Sequence, residues 1–167
     1  MRFLNVLPRI ALSFCAVSFI TLSVPTHWLT RINISILLAY WAILAWGGDS
    51  GVPYELSSNA VLKVDLFLFG PNHLYQGNGI PFDPEGLLST LPAISTCLLG
   101  YQASIFLEKQ RAINKSPLAS LLLYGIILIV IALIWDKAFP INKKLWTSSF
   151  VLLCAGFDFM LIGLLSW

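Results

Sequence analysis

The run LASLLLYGIILIVIALIW, residues 118–135, decides the fold. It carries no charge, and from Ile126 to Ile134 it is aliphatic throughout. A helix facing water needs a polar stripe; this run has none and is expected to face lipid. About 20 such residues cross a hydrocarbon core of about 30 Å. The rest of the 167 residues agrees, with 57% hydrophobic and 11% charged, against about 25% charged in soluble domains. Mean hydropathy is +0.81. The net charge of +2 is dispersed, with no Lys/Arg-rich run, which argues against nucleic acid as a partner.

Working outward, four more spans are expected. They run roughly Val6–Val24, Ile32–Trp46 (reaching back to about Trp28), Leu87–Leu107 and Leu145–Trp167. The fold class is thus an all-α integral membrane protein of five transmembrane helices, in a single membrane domain over 1–167. Pro8 is tolerable in a first turn, and Arg9 is expected to snorkel to the surface. No small-x-small cleavage site follows the first span, so an uncleaved helix is expected rather than a leader. Tyr40, Trp41 and Trp46 read as an interfacial aromatic belt. Cys15, Cys97 and Cys154 lie in apolar segments without ligand spacing and read as small core residues. No metal-ligand set is seen.

One long loop, residues 47–86, joins the second and third spans. Within it, helical spacing over Ala60–Phe69 places Val61, Val64 and Leu68 on one face and turns Lys63 and Asp65 away. A short helix lying on the membrane surface is expected there. Residues 72–86, NHLYQGNGIPFDPEG, are then a polar, turn-rich island in an apolar chain. Asp83, Pro84 and Glu85 match an N-cap, first helical position and first turn, and Pro92 is expected to kink the helix that follows. Ser89, Thr90, Ser95 and Thr96 offer hydroxyls to neighbouring helices. Pro140-Ile141-Asn142 reads as the start of the last span. Within that span, Asp158 sits mid-helix, where a carboxylate is costly unless paired, hydrated or protonated.

Basic residues place the termini-distal turns at 31 and 109–115 on the cytoplasmic side. Residues 47–86 are then expected to face the periplasm of a bacterial inner, or plasma, membrane. Arg2 enters that count on the opposite side.

Four stretches resemble one family. They are VLPRIAL at 6–12, NHLYQ at 72–76, FDPEGLLST at 82–90 with Gly100 beyond it, and PINKKLWTSSFV at 140–151. Together they are similar to the heparan-α-glucosaminide N-acetyltransferase family and its bacterial relatives. The resemblance implies a multi-pass membrane acyltransferase that moves an acetyl group from acetyl-coenzyme A to a glucosamine amine. The family fold is longer, and this chain matches its middle portion. The histidine held central to transfer lies in the family's N-terminal half, so a partial form, acting with a complementary chain or as a homo-oligomer, is implied.

Site expectations follow. Asn72, His73, Tyr75, Asp83 and Glu85 are candidates for the amino sugar, and His73 is also a catalytic candidate, since histidine suits base work near neutral pH. Asn142, Lys143 and Trp146 are candidates for the coenzyme. Each also has a structural role open to it: interfacial hydrogen bonding for His73, capping for Asp83, Glu85 and Asn142, and a snorkelling helix end for Lys143 and Trp146. A non-catalytic membrane protein, transporter-like or a truncated remnant, is the alternative.

Overall fold

The computed structural model describes residues 4–166; Arg2, used in the orientation count, and Trp167, the expected end of the last span, lie outside them. The described residues form six α-helices and no β-strand: α1 Val6–Ser23, α2 Leu29–Gly47, α3 Ala60–Phe69, α4 Thr90–Ala112, α5 Leu118–Asp136 and α6 Ser148–Leu165. All but α3 belong to segments long and apolar enough to cross a membrane. Successive crossings place the 47–89 and 137–147 connections at one end of the bundle. α4 is central, packing on α1, α2 and α6, while α5 packs along α6.

Glycine makes the α5–α6 hairpin close. A Cβ on Gly125 would stand 2.6 Å from the Gly156 carbonyl oxygen, and one on Gly156 would stand 2.8 Å from that of Gly125. Small residues let helix backbones approach where lipid supplies no hydrophobic drive. The opposite face of α5 is lipid-facing as expected, with Leu123, Ile126, Val130 and Ile134 exposed.

At the loop end, a core of Tyr40, Leu44, Val61, Leu62, Phe82, Phe139 and Leu145 forms under the connections. This overturns part of the aromatic belt. Only Trp46 is outward; Tyr40 is fully buried with its hydroxyl donating to the Leu145 carbonyl at 2.5 Å. Trp41 meets Trp135 edge to face and donates to the Tyr54 hydroxyl at 3.1 Å. Cys15 is exposed on α1, and the other two cysteines are half-buried, so the expected core role fails for Cys15.

α3 is also rotated from its expected setting. Val61, Leu62 and Asp65 face inward, while Lys63, Phe67 and Leu68 face out. Lys63 is held outward by Asp49 at 2.7 Å and by the Gly47 carbonyl at 3.0 Å. Periodicity alone ranked Asp65 by polarity; inside, it has a backbone partner, described below.

Gly156→Val is expected to lower stability by roughly 1–3 kcal/mol through overpacking against rigid backbone. Gly100, where a Cβ meets nothing within 4 Å, is the control: Gly100→Ala should leave the melting temperature unchanged or slightly raised. Thermal unfolding in detergent micelles measures both.

Candidate functional site

Arg9, Ser13 and Val17 form the buried stripe of α1, one residue per turn. Arg9 therefore points into the bundle and does not snorkel. Its Nη1 donates to the Pro84 carbonyl and its Nη2 to the Ser89 carbonyl, each at 3.2 Å. The guanidinium carbon lies 4.1 Å from the ring centroid of Trp146. A desolvated cation over an indole gains about 2 kcal/mol. One side chain thus joins α1, the 83–89 turn and the 142–147 turn.

Of the carbonyls that Arg9 meets, that of Pro84 is available because the chain is not helical there, and that of Ser89 lies at the start of α4 and is shared with the helix. The α4 helix begins at Thr90 with Ser89 as its N-cap residue, later than the Asp83 start read from capping residues. The missing helical bond explains the delay. Leu87 N–H would donate to the Asp83 carbonyl in a helix, but it donates to Asp65 Oδ1 at 3.1 Å. Asp83 instead accepts from Glu85 N–H at 3.0 Å and caps a single turn. Pro92 then falls in the first turn of α4, where no ladder bond is lost, so the expected kink has no cause. The hydroxyls expected to bond between helices mostly act locally: Ser89 and Thr90 both donate to the Gly86 carbonyl, at 3.0 and 3.1 Å.

Trp146 is presented by a tight turn. Asn142 Oδ1 accepts from Lys144 N–H at 2.9 Å, and Thr147 N–H donates to the Asn142 carbonyl at 3.2 Å. Trp146 itself takes a left-handed φ of 52°, unusual for a bulky side chain, and its Nε1 donates to Thr96 Oγ1 at 3.3 Å. Asn142 therefore caps this turn, and the helix after it starts at Ser148, not at Leu145.

Between α1 and α4 these groups enclose a cleft of about 450 Å³. Arg9, Glu85 and Trp146 stand in it with Ser13, Thr96 and apolar neighbours. Ser13 is 5% exposed, and its Oγ is buried with no hydrogen-bond partner among the described residues. Asp83 and Glu85 are the acids whose charges act on Arg9.

Of the expected site residues, Glu85 and Trp146 meet in this cleft. Asp83 is buried behind it, and Asn142 shapes the turn that carries Trp146. Lys143 is exposed on that turn. Asn72, half-buried His73 and exposed Tyr75 belong to the neighbouring loop. A bond from Lys144 Nζ to Asn78 Oδ1 at 2.9 Å ties that loop to the Trp146 turn. Asp158 is exposed on α6, in a groove with Thr96 and Gly100 of α4.

Arg9, Ser13 and Asp65 were not foreseen as site residues. Spacing by four along α1 was the available clue for the first two, since a charge inside a span marks function. Asp65 is 1% exposed; Oδ2 has no partner among the described residues and abuts Gly86, where a Cβ would stand 1.9 Å from it. Burial, then the nearby Asp83 charge, pushes the Asp65 carboxyl up to about 6, against the opposing bond from Leu87.

The class is therefore a multi-span helical membrane protein with a buried-cation cleft at one end. No family model matches the chain. The chain resembles the heparan-alpha-glucosaminide N-acetyltransferases. It is 31% identical over 132 residues to that of Mus musculus, covering 71% of this chain and 20% of the relative. It is 30% identical over 129 residues to that of Homo sapiens, covering 69% and 20%. The chain spans about a fifth of the length of the curated relatives it matches.

Arg9→Met should destabilise by about 3–5 kcal/mol, because it removes the cation that acts on the nearby Asp83 and Glu85 charges and its bridge to the 84–89 turn. Arg9→Lys should recover only part, having no planar fork. Proteolysis at 83–89 and thermal unfolding report both. Asp65 adds a pH dependence. Its folded pKa of about 6 lies above the ordinary 3.8, so its contribution is complete below the lower value and is lost as pH rises through the higher. Asp65→Asn should raise the melting temperature at pH 8 and flatten its slope between about pH 4 and 6.

Proposed function

We propose that this chain acts in a membrane acetyltransferase that moves an acetyl group from acetyl-coenzyme A to the amine of an amino sugar. The cleft holding Arg9, Glu85, Trp146 and the unpartnered Ser13 hydroxyl carries this reading. It offers apolar walls with a few convergent polar groups, the usual form of a small-molecule site. The similarity to two enzymes named for N-acetyl transfer to a glucosaminide supplies the reaction class.

The donor side is the Asn142–Trp146 turn. Trp146 packs against the acetyl-bearing arm, Asn142 fixes the turn, and exposed Lys143 meets the donor's phosphates outside the cleft. The acceptor side is the 72–86 loop. Glu85, beside the buried guanidinium, holds the sugar's ammonium, with Asn72 and Tyr75 for its hydroxyls and Asp83 keeping Glu85 in place. Attack forms the N–C bond at the thioester carbon and breaks the C–S bond. The ammonium first gives one proton to Glu85 or His73, so that the free amine attacks, and the proton shed by the new amide nitrogen goes to the departing thiolate.

The test uses the chain in lipid nanodiscs with acetyl-labelled coenzyme and glucosamine, and follows N-acetylglucosamine by mass spectrometry. Glu85→Gln should lower kcat/KM by about 10²–10⁴-fold, the range of a lost acid–base group. Trp146→Ala should chiefly raise KM for the coenzyme. Absence of both transfer and saturable coenzyme binding would sink the proposal, as would turnover unchanged in both variants.

A further inference from the structure

Asp158 lies on α6 about 15 Å from its first residue, Ser148, and about 10 Å from its last, Leu165. That is the middle of a helix only just long enough to cross the hydrocarbon. The side chain is exposed on the outside of the bundle. Around it Phe157, Leu161 and Leu164 are exposed too, so the surface it interrupts faces lipid. No hydrogen bond or ion pair reaches it from the described residues. A carboxylate at that depth is costly when unpaired, and acids in spans almost always face a partner.

Asp158 forms part of a groove of about 210 Å³ between α4 and α6. Thr96, Gly100 and Ala155 make its small-residue lining. The Thr96 hydroxyl is already engaged, donating to the Pro92 carbonyl at 3.1 Å and accepting from Trp146 Nε1 at 3.3 Å. Gly100 is exposed, and a Cβ there would meet nothing within 4 Å. The other helical glycines differ. Gly47 abuts Ala60 of α3, Gly125 and Gly156 abut each other's helices, and Gly163 abuts Leu121 of α5. A helical glycine costs stability relative to alanine, and in a span its use is close approach of a second backbone. At Gly100 the described residues supply no such backbone.

The missing counter-charge has to arrive at mid-depth, and a helix is the element that carries a side chain there with its own backbone satisfied. A second copy of this chain cannot provide it. Arg9 and Arg31 stand within four residues of the starts of α1 and α2, Lys109 and Arg111 in the last turn of α4, and the other basic residues lie outside the five long helices. We propose that the α4–α6 groove docks a transmembrane helix of another chain, which sets a basic side chain against Asp158 and packs its backbone over Gly100. This does not depend on the acetyl-transfer reading.

The experiment reconstitutes the full chain, fused to a fluorescent protein, in phosphatidylcholine vesicles with dye-labelled leucine–alanine helices long enough to span. One helix carries lysine at its centre, one leucine and one glutamate. Energy transfer at rising peptide-to-lipid ratio gives the apparent Kd. The lysine helix should saturate and bind about tenfold tighter than the leucine helix, the low end for one hydrogen bond to a charged group. Asp158→Leu should remove that preference, with Asp158→Asn in its place if the leucine variant does not reconstitute. Gly100→Leu should weaken the lysine helix with the carboxylate intact. Equal binding of the lysine and leucine helices, a glutamate helix that binds as tightly as lysine, or no effect of these variants would overturn the proposal. So would energy transfer between copies of the chain that Asp158→Leu abolishes, since that assigns the groove to a second copy.

Discussion

The guanidinium of Arg9 is the contact on which the loop end of this protein depends. An arginine cannot shed its charge, so burying it demands carbonyl oxygens, aromatic faces or acids around it. Here the Pro84 and Ser89 carbonyls and the Trp146 ring meet that demand. The chain meets it by leaving residues 84–88 out of the helix, which frees the Pro84 carbonyl, and by setting Ser89 at the N-cap of α4. Asp65 holds the same turn from the other side by taking the Leu87 N–H. Cation and carboxylate thus act on one non-helical stretch from two elements far apart in sequence.

The remainder of the bundle supports that arrangement. Ser148 donates to the Leu37 carbonyl at 2.8 Å, and Ser149 to that of Phe139 at 2.7 Å. These bonds fasten the start of α6 to α2 and to the preceding connection. The close α5–α6 pair then carries the Trp146 turn to Arg9 as part of a rigid hairpin. The cleft has one wall from α1 and another from α4, with Glu85 and Trp146 arriving from the two connections. Two walls of the cleft are therefore helices, which hold geometry better than free loops do.

Much of this was legible in the chain itself, and the failures share a cause. The five spans, the long loop and the short helix within it all follow from composition and local pattern. Glu85 and Trp146, expected for different ligands, line one cleft. The start of α4 was misplaced because Asp83-Pro84-Glu85 is a good cap on local grounds. No local rule reveals that Asp65 will take the Leu87 N–H. Arg9 was assigned to the surface for a similar reason, since snorkelling is the default for a cation near a helix end.

By itself, the sequence determined that the chain resides in lipid, how often it crosses, and where its polar residues concentrate. Those are consequences of hydropathy and turn chemistry, which act over a few residues. Only the tertiary structure decided which polar groups are buried and what they touch. Arg9 with Trp146, Asp65 with Leu87, and Thr30 with Gln102 are pairs between elements far apart in sequence. Their burial is decided by the facing of helices packed through α4, and by the cost of leaving a polar group unmet away from water.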